Sequence, residues 1–124
     1  MRVMIVEDCF IQSTVLSKIL ESENFDVAGV CRSSTDVMNT LQDTIPDLIL
    51  MDVFLNGDLN GYQIMQIIRE KYDVPVIFVT AIKQNDLYDS VKAMENSFVL
   101  GKPISKPDLI TAIKNLMGSH AASC

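Results

Sequence analysis

The chain has 124 residues, 48% of them hydrophobic, and a formal net charge of −6, a size and balance that suit one cored domain and exclude a disordered chain. The acidic surplus, with no Lys/Arg cluster, excludes general nucleic-acid binding, which needs a basic face to displace counterions. No apolar run approaches the roughly 20 residues of a membrane span, and Glu7 and Asp8 cut off the apolar opening Met1–Val6 before it reaches signal-peptide length, so a cytoplasmic protein is expected.

In chain order, Val3–Val6 reads as a strand, followed by a helix over residues 10–22 in which Ile11, Val15 and Ile19, with Leu16 and Leu20, repeat at helical spacing. Val27–Val30 is a second strand, and Val37, Met38 and Leu41 give a weaker helical pattern. Leu48–Met51 is a third strand, and Ile64, Met65, Ile67 and Ile68 mark a helix beginning near Gly61. Val76–Val79 is a fourth, with Leu87, Val91 and Met94 on the helix after it. Phe98–Leu100 is a fifth, and Leu109, Ile110, Ile113, Leu116 and Met117 form the last helix. Its start carries a capping signal in Ser105, with Pro107 in the first turn and Asp108 three residues on, and Gly118 is its expected stop. Short, near-continuous aliphatic runs suit strands buried on both faces. Strict alternation with helices predicts βαβ units and a three-layer α/β sandwich.

One domain over residues 1–118 is expected, with residues 119–124 a short tail and no output domain after it. Cys9, Cys31 and Cys124 are odd in number and lack CxxC spacing, which points to reduced thiols. The single histidine, His120, stands in the tail, so a catalytic cysteine has no evident base. The seven Met read as core filler, Tyr62, Tyr72 and Tyr88 as half-exposed, and Gly57 and Gly61 as turn formers.

The stretch "LILMDVFLNGDLNG", residues 48–61, drives an apolar run into Asp52. Burying an unpartnered carboxylate is costly. Either Asp52 sits at the strand's end beside something that stabilises its charge, or the strand reading fails. In open α/β sheets function gathers at the carboxyl ends of the strands. There stand Glu7 and Asp8 after the first strand, Asp52 after the third, Thr80 after the fourth and Lys102 after the fifth; the second offers only Cys31 and Arg32. Three converging carboxylates repel, and Lys102 supplies a single positive charge. A divalent cation would supply the rest, and an all-oxygen site favours Mg²⁺ or Mn²⁺. A carboxylate beside such an ion is a nucleophile toward phosphorus, with Lys102 and the Thr80 hydroxyl placed to hold phosphoryl oxygens. Taken singly, Asp8 could instead cap the first helix, Thr80 could be an ordinary strand residue and Lys102 a solvated one.

With these residues in order, "MIVED", "PDLILMDVFL", "NGYQIMQIIRE", "VPVIFVTA" and "GKPISKPDLITAI" resemble the receiver domain of two-component response regulators, over roughly residues 2–117. The resemblance implies a flavodoxin-like fold: a five-stranded parallel sheet of order 2-1-3-4-5 with five helices. It implies a phosphoacceptor switch rather than a metabolic enzyme, which catalyses its own phosphorylation and slow self-dephosphorylation. Asp52 would take a phosphoryl group from a sensor histidine kinase or a phosphotransfer protein. Asp8 would bind Mg²⁺ directly, Glu7 through water, and the Phe54 main-chain carbonyl would be a further ligand. Thr80 would bind the phosphoryl group and shift, and Lys102 would pair with Asp52 and the phosphate. The Lys102–Pro103 bond would be cis. An output partner would meet the face of helix 4, strand 5 and helix 5, with Tyr88, Lys92, Glu95 and Lys106 exposed, and a phosphorylation-dependent homodimer is a further implied state. No membrane or direct nucleic-acid contact is implied.

The sequence departs from the pattern in three ways. The loop from Asp52 to Gly61 is one residue longer than usual, with Asn56 where a proline is common. Val99 replaces an aromatic residue coupled to the threonine, Phe98 lying one place early. Phe54 and Ile82 are apolar and are expected to shield the acyl phosphate and lengthen its life. Two rivals share features of the layout. A Mg²⁺ phosphatase with an Asp nucleophile wants an acid where Phe54 stands. A flavin carrier wants a Ser/Thr/Gly-rich phosphate loop where "EDCFIQST" presents two acids.

Overall fold

A computed structural model of the protein describes residues 1–81 and 86–121, the side chains of residues 86 and 119–121 excepted. Strands and helices alternate along the chain: β1 (Arg2–Val6), α1 (Phe10–Ser22), β2 (Asp26–Cys31), α2 (Ser34–Asp43), β3 (Leu48–Asp52), α3 (Gly61–Arg69), β4 (Val76–Thr80), α4 (Asp86–Ala93), β5 (Ser97–Gly101) and α5 (Lys106–Ala121). All strand pairs are parallel, in the order β2-β1-β3-β4-β5. This is the expected doubly wound arrangement. β3 and β4 are buried along their whole length, as near-continuous apolar runs require when helices cover both faces.

Side-chain alternation divides the interior into two cores. Val3, Ile5, Leu48, Leu50, Ile77 and Val79 point to one face, where Leu16 and Leu20 of α1 and Leu109, Ala112 and Ile113 of α5 pack on them. Met4, Val6, Ile49, Met51 and Phe78 point to the other, against Val37 and Leu41 of α2, Ile64, Met65 and Ile68 of α3 and Val91 of α4. Because the period of a strand is two, a one-residue slip would exchange these cores, so the register is strongly fixed. Asp52 pairs opposite Val79 at the end of β3, which places its carboxylate at the rim rather than mid-sheet.

The helix starts follow their caps. Ser105 accepts from the Asp108 N–H at 3.2 Å, as its sequence position predicts. Two further caps start α2 and α3. Ser33 accepts from Asp36, and Asn60 and Gln63 form a reciprocal capping box that the N-x-x-Q spacing could have revealed. Gly118 corrects an expectation: α5 runs through it to Ala121. A glycine ends a helix when it takes up the left-handed conformation, and Gly118 does not. Met94 falls just beyond α4, and Met1 is exposed rather than core. Gly61 is more than a turn former. It opens α3 hard against β3, where a methyl group would lie 2.1 Å from the Asp52 carbonyl oxygen.

Candidate functional site

The parallel sheet carries every strand's carboxyl end to the same rim. From β1 come Glu7 and Asp8, from β3 Asp52, from β4 Thr80, and from the turn after β5 Lys102. Glu7, Asp52 and Thr80 are 2%, 5% and 3% exposed, so the strand ends hold polar side chains almost out of water. Carboxylate oxygens of Glu7, Asp8 and Asp52 lie within 4.8 Å of one another. The Lys102 ammonium stands 3.4 Å from Glu7 Oε2 and 3.5 Å from Asp52 Oδ2. Glu7, Asp8, Asp52 and Lys102 are thus brought together, and Thr80 ends the strand that neighbours β3.

The backbone fixes each acid. The Phe54 N–H donates to Asp52 Oδ1 at 3.1 Å, and the Cys9 N–H donates to Glu7 Oε1 at 3.1 Å. Asp8 does not cap α1. The N-cap is Cys9, without a side-chain cap bond, and Asp8 Oδ2 instead accepts the Asn56 N–H at 2.7 Å. That bond ties the end of β1 to the longer β3–α3 loop, and it gives Asn56 a role that sequence did not suggest. The Lys102 N–H donates to the Thr80 carbonyl at 2.9 Å, which anchors the lysine's main chain to the end of β4. The Lys102–Pro103 peptide is cis. A second unforeseen partner is Gln12, on the first turn of α1, whose Oε1 accepts a short hydrogen bond from Lys102 Nζ.

Electrostatically the cluster is unfinished. Burial pushes the Glu7 carboxyl above its usual range; the Cys9 N–H opposes this, and the Asp52 charge adds to it. The Lys102 ammonium pairs with two of the three carboxylates, and the Arg32 guanidinium reaches the third acid only at its main-chain carbonyl, Asp8 O, at 3.4 Å. The donor set is entirely oxygen, and its atoms are close enough to share one small hard cation, so the residues present fit Mg²⁺.

Around the rim, Phe54 is 42% exposed, and Ile82, expected to shield the site with it, lies outside the described residues. Val99 is half-buried against the α2–α3–α4 core, while Phe98 is 39% exposed. Lys92, Glu95 and Lys106 are exposed as expected, and Tyr88 is half-buried beneath the Lys92 ammonium, 5.5 Å above its ring. Cys9 and Cys31 are free thiols; Cys124 lies outside the described residues. Among the described residues no helix is long and apolar enough to cross a membrane.

A parallel α/β sheet with acids, a hydroxyl and a lysine at successive strand ends is the layout of a phosphoacceptor signalling module. Residues 3–114 match the response regulator receiver domain family, and the chain belongs to it. It is 32% identical over 95 residues to a protein-glutamate methylesterase/protein-glutamine glutaminase of Pyrococcus abyssi, covering 76% of this chain and 26% of that protein. It is 28% identical over 115 residues to the DNA-binding response regulator MtrA of Mycobacterium tuberculosis, covering 91% and 49%. The chain thus spans a quarter to a half of these curated relatives. Among solved structures, the signal receiver domain of a modulated diguanylate cyclase from Desulfovibrio desulfuricans superposes with a TM-score of 0.87 at 26% identity, covering 99% of this chain and 98% of that one. The receiver domain of a sensor histidine kinase from Pseudomonas aeruginosa, solved with magnesium coordinated in its active-site cleft, gives 0.81 at 27% identity, covering 94% and 97%. The protein is a two-component receiver domain, a signalling switch.

Proposed function

We propose that Asp52 is the phosphoacceptor and that its partner donor is a phosphohistidine of a sensor kinase or phosphotransfer protein. The observation that carries this reading is the clustering of three carboxylates from two strand ends, two of them paired with a single ammonium from a third. Glu7, Asp8, Asp52 and the Phe54 main-chain carbonyl would hold Mg²⁺, which when bound screens the repulsion between the anionic nucleophile and the anionic donor. An Asp52 oxygen attacks phosphorus, the bond from phosphorus to the donor nitrogen breaks, and the imidazole leaves with the electron pair. The Phe54 N–H keeps the carboxylate aimed during attack. Lys102 follows the charge onto the phosphoryl oxygens, and the Thr80 hydroxyl, at the end of β4, donates to another.

The added charge and acceptor oxygens bias the equilibrium between two packings of α4, β5 and α5. That face, with exposed Lys92, Glu95 and Lys106, meets an output partner or a second phosphorylated copy. With Val99 half-buried in place of an aromatic residue, the switch works through Thr80 and the loop after it, of which residues 82–85 lie outside the described residues. Apolar Phe54 and Ile82 slow self-dephosphorylation. Residues 1–118 form the functional domain and 119–124 a tail, into which α5 continues as far as Ala121, in the cytoplasm.

The test is incubation with acetyl phosphate, with and without Mg²⁺, followed by intact mass. One phosphoryl adduct that needs the metal and vanishes in Asp52→Asn is expected, and Lys102→Ala should impair the conformational response more than metal binding. An adduct that persists in Asp52→Asn overturns the assignment.

A further inference from the structure

The shortest contact of the Lys102 ammonium is to neither of its carboxylates. Nζ lies 3.4 Å from Glu7 and 3.5 Å from Asp52, whereas a charge-assisted N–H···O bond settles near 2.7–2.9 Å. The tight bond goes to Gln12 Oε1, a neutral amide on the first turn of α1. Coulomb attraction alone would bring the ammonium onto an acid, since both acids are nearly buried. Something must hold it back. Gln12, Lys102 and Glu7 all line a groove of about 400 Å³ between α1 and the β5–α5 turn.

We propose that Gln12 is a positioning residue for Lys102. It holds the ammonium between Glu7 and Asp52 without letting it close on either, which leaves Asp52 Oδ2 without a tight ion pair and open to the metal and to attack. When a phosphoryl group arrives, Lys102 turns onto its oxygens from this held position and need not break a tight ion pair first. The inference rests on the assignment of Asp52 as phosphoacceptor and Lys102 as its cation.

The test uses Gln12→Leu, which keeps the side chain's size and removes the acceptor, together with Gln12→Glu, Lys102→Ala and the Gln12→Leu/Lys102→Ala pair. Acetyl phosphate serves as donor, so that docking of a protein partner on α1 plays no part. Gln12→Leu is expected to slow adduct formation about three- to tenfold, the scale of one partly exposed hydrogen bond to a charged group, and to have no further effect in the Lys102→Ala background. Its crystal structure should show Nζ closed to within about 3 Å of Asp52 or Glu7. Gln12→Glu should draw the ammonium toward α1 and keep it off Asp52. An equal effect of Gln12→Leu with and without Lys102, or a lysine that swings into solvent in the variant, overturns the inference. Absence of any adduct on the unaltered protein would instead count against the Asp52 assignment itself.

Discussion

The two ends of the sheet handle buried polarity in opposite ways. At the amino ends of β4 and β5, Arg69 from the last turn of α3 donates to the Val74 carbonyl through Nε and Nη2, at 3.2 and 2.8 Å, to Glu95 at 2.7 Å and to Asn96 at 3.0 Å. Burial lowers the Arg69 pKa from its ordinary value, with Asp73 and Glu95 opposing, and the guanidinium stays charged. One cation there satisfies several main-chain acceptors and pins α3 to the start of β5. At the carboxyl ends, three acids cluster and two of them share one ammonium that touches a neutral amide most closely. The first end is finished and structural. The second is left short of positive charge, and a site in that condition responds to what it binds.

The largest effect that separates the ends is expected from Arg69→Ala. It strands the Val74 carbonyl and removes the bonds to the Glu95 and Asn96 carbonyls, the last of which keeps the Val76 N–H, and it should destabilise the fold by about 2–3 kcal/mol in a denaturant titration. Arg69→Lys should recover little, because an ammonium cannot reproduce the planar fork. Neither change should alter the metal requirement of Asp52 phosphorylation. If Arg69→Ala proves neutral for stability, the contrast between the ends loses its structural half.

A smaller effect, of opposite sign, is expected at the other end from Glu7→Gln. Because the Glu7 pKa is raised in the folded protein, the folded state binds more protons than the unfolded one between the ordinary carboxylate value and the raised one. Stability from this group is therefore full below the ordinary value and is lost as pH rises through the raised one. In metal-free buffer near neutral pH, Glu7→Gln should raise Tm by a few degrees. The gain should vanish in acid, below the usual carboxylate range. With Mg²⁺ present the advantage should shrink or reverse, because the unaltered site gains a ligand-linked stabilisation that the variant partly lacks. Thermal melts across pH, with and without the metal, read all three arms.

Much of this was legible in the sequence, for a physical reason. β1, β3 and β4 are buried on both faces, so their residues form unbroken apolar runs, and whatever polar residue ends such a run lands on the rim. Glu7, Asp8, Asp52, Thr80 and Lys102 could therefore be gathered before any coordinates. The contacts that tune the site left no such mark. Gln12 is an exposed helix residue whose partner lies 90 positions away, and Asn56 acts through its main-chain N–H, which every residue but proline has. Gly61 reads as a turn glycine until the approach to Asp52 is seen. Gly118 carried a stop signal that its backbone does not obey.

The most direct measurement of the central claim, that an under-compensated acid nest waits at one end of the sheet only, is an amide NMR titration with Mg²⁺. The account predicts saturable shifts at Cys9, Phe54 and Asn56, whose N–H groups bond to the three acids, while Val74, Glu95 and Asn96 stay put. Shifts of similar size at both ends, or none at residues 9, 54 and 56 at millimolar metal, would contradict it.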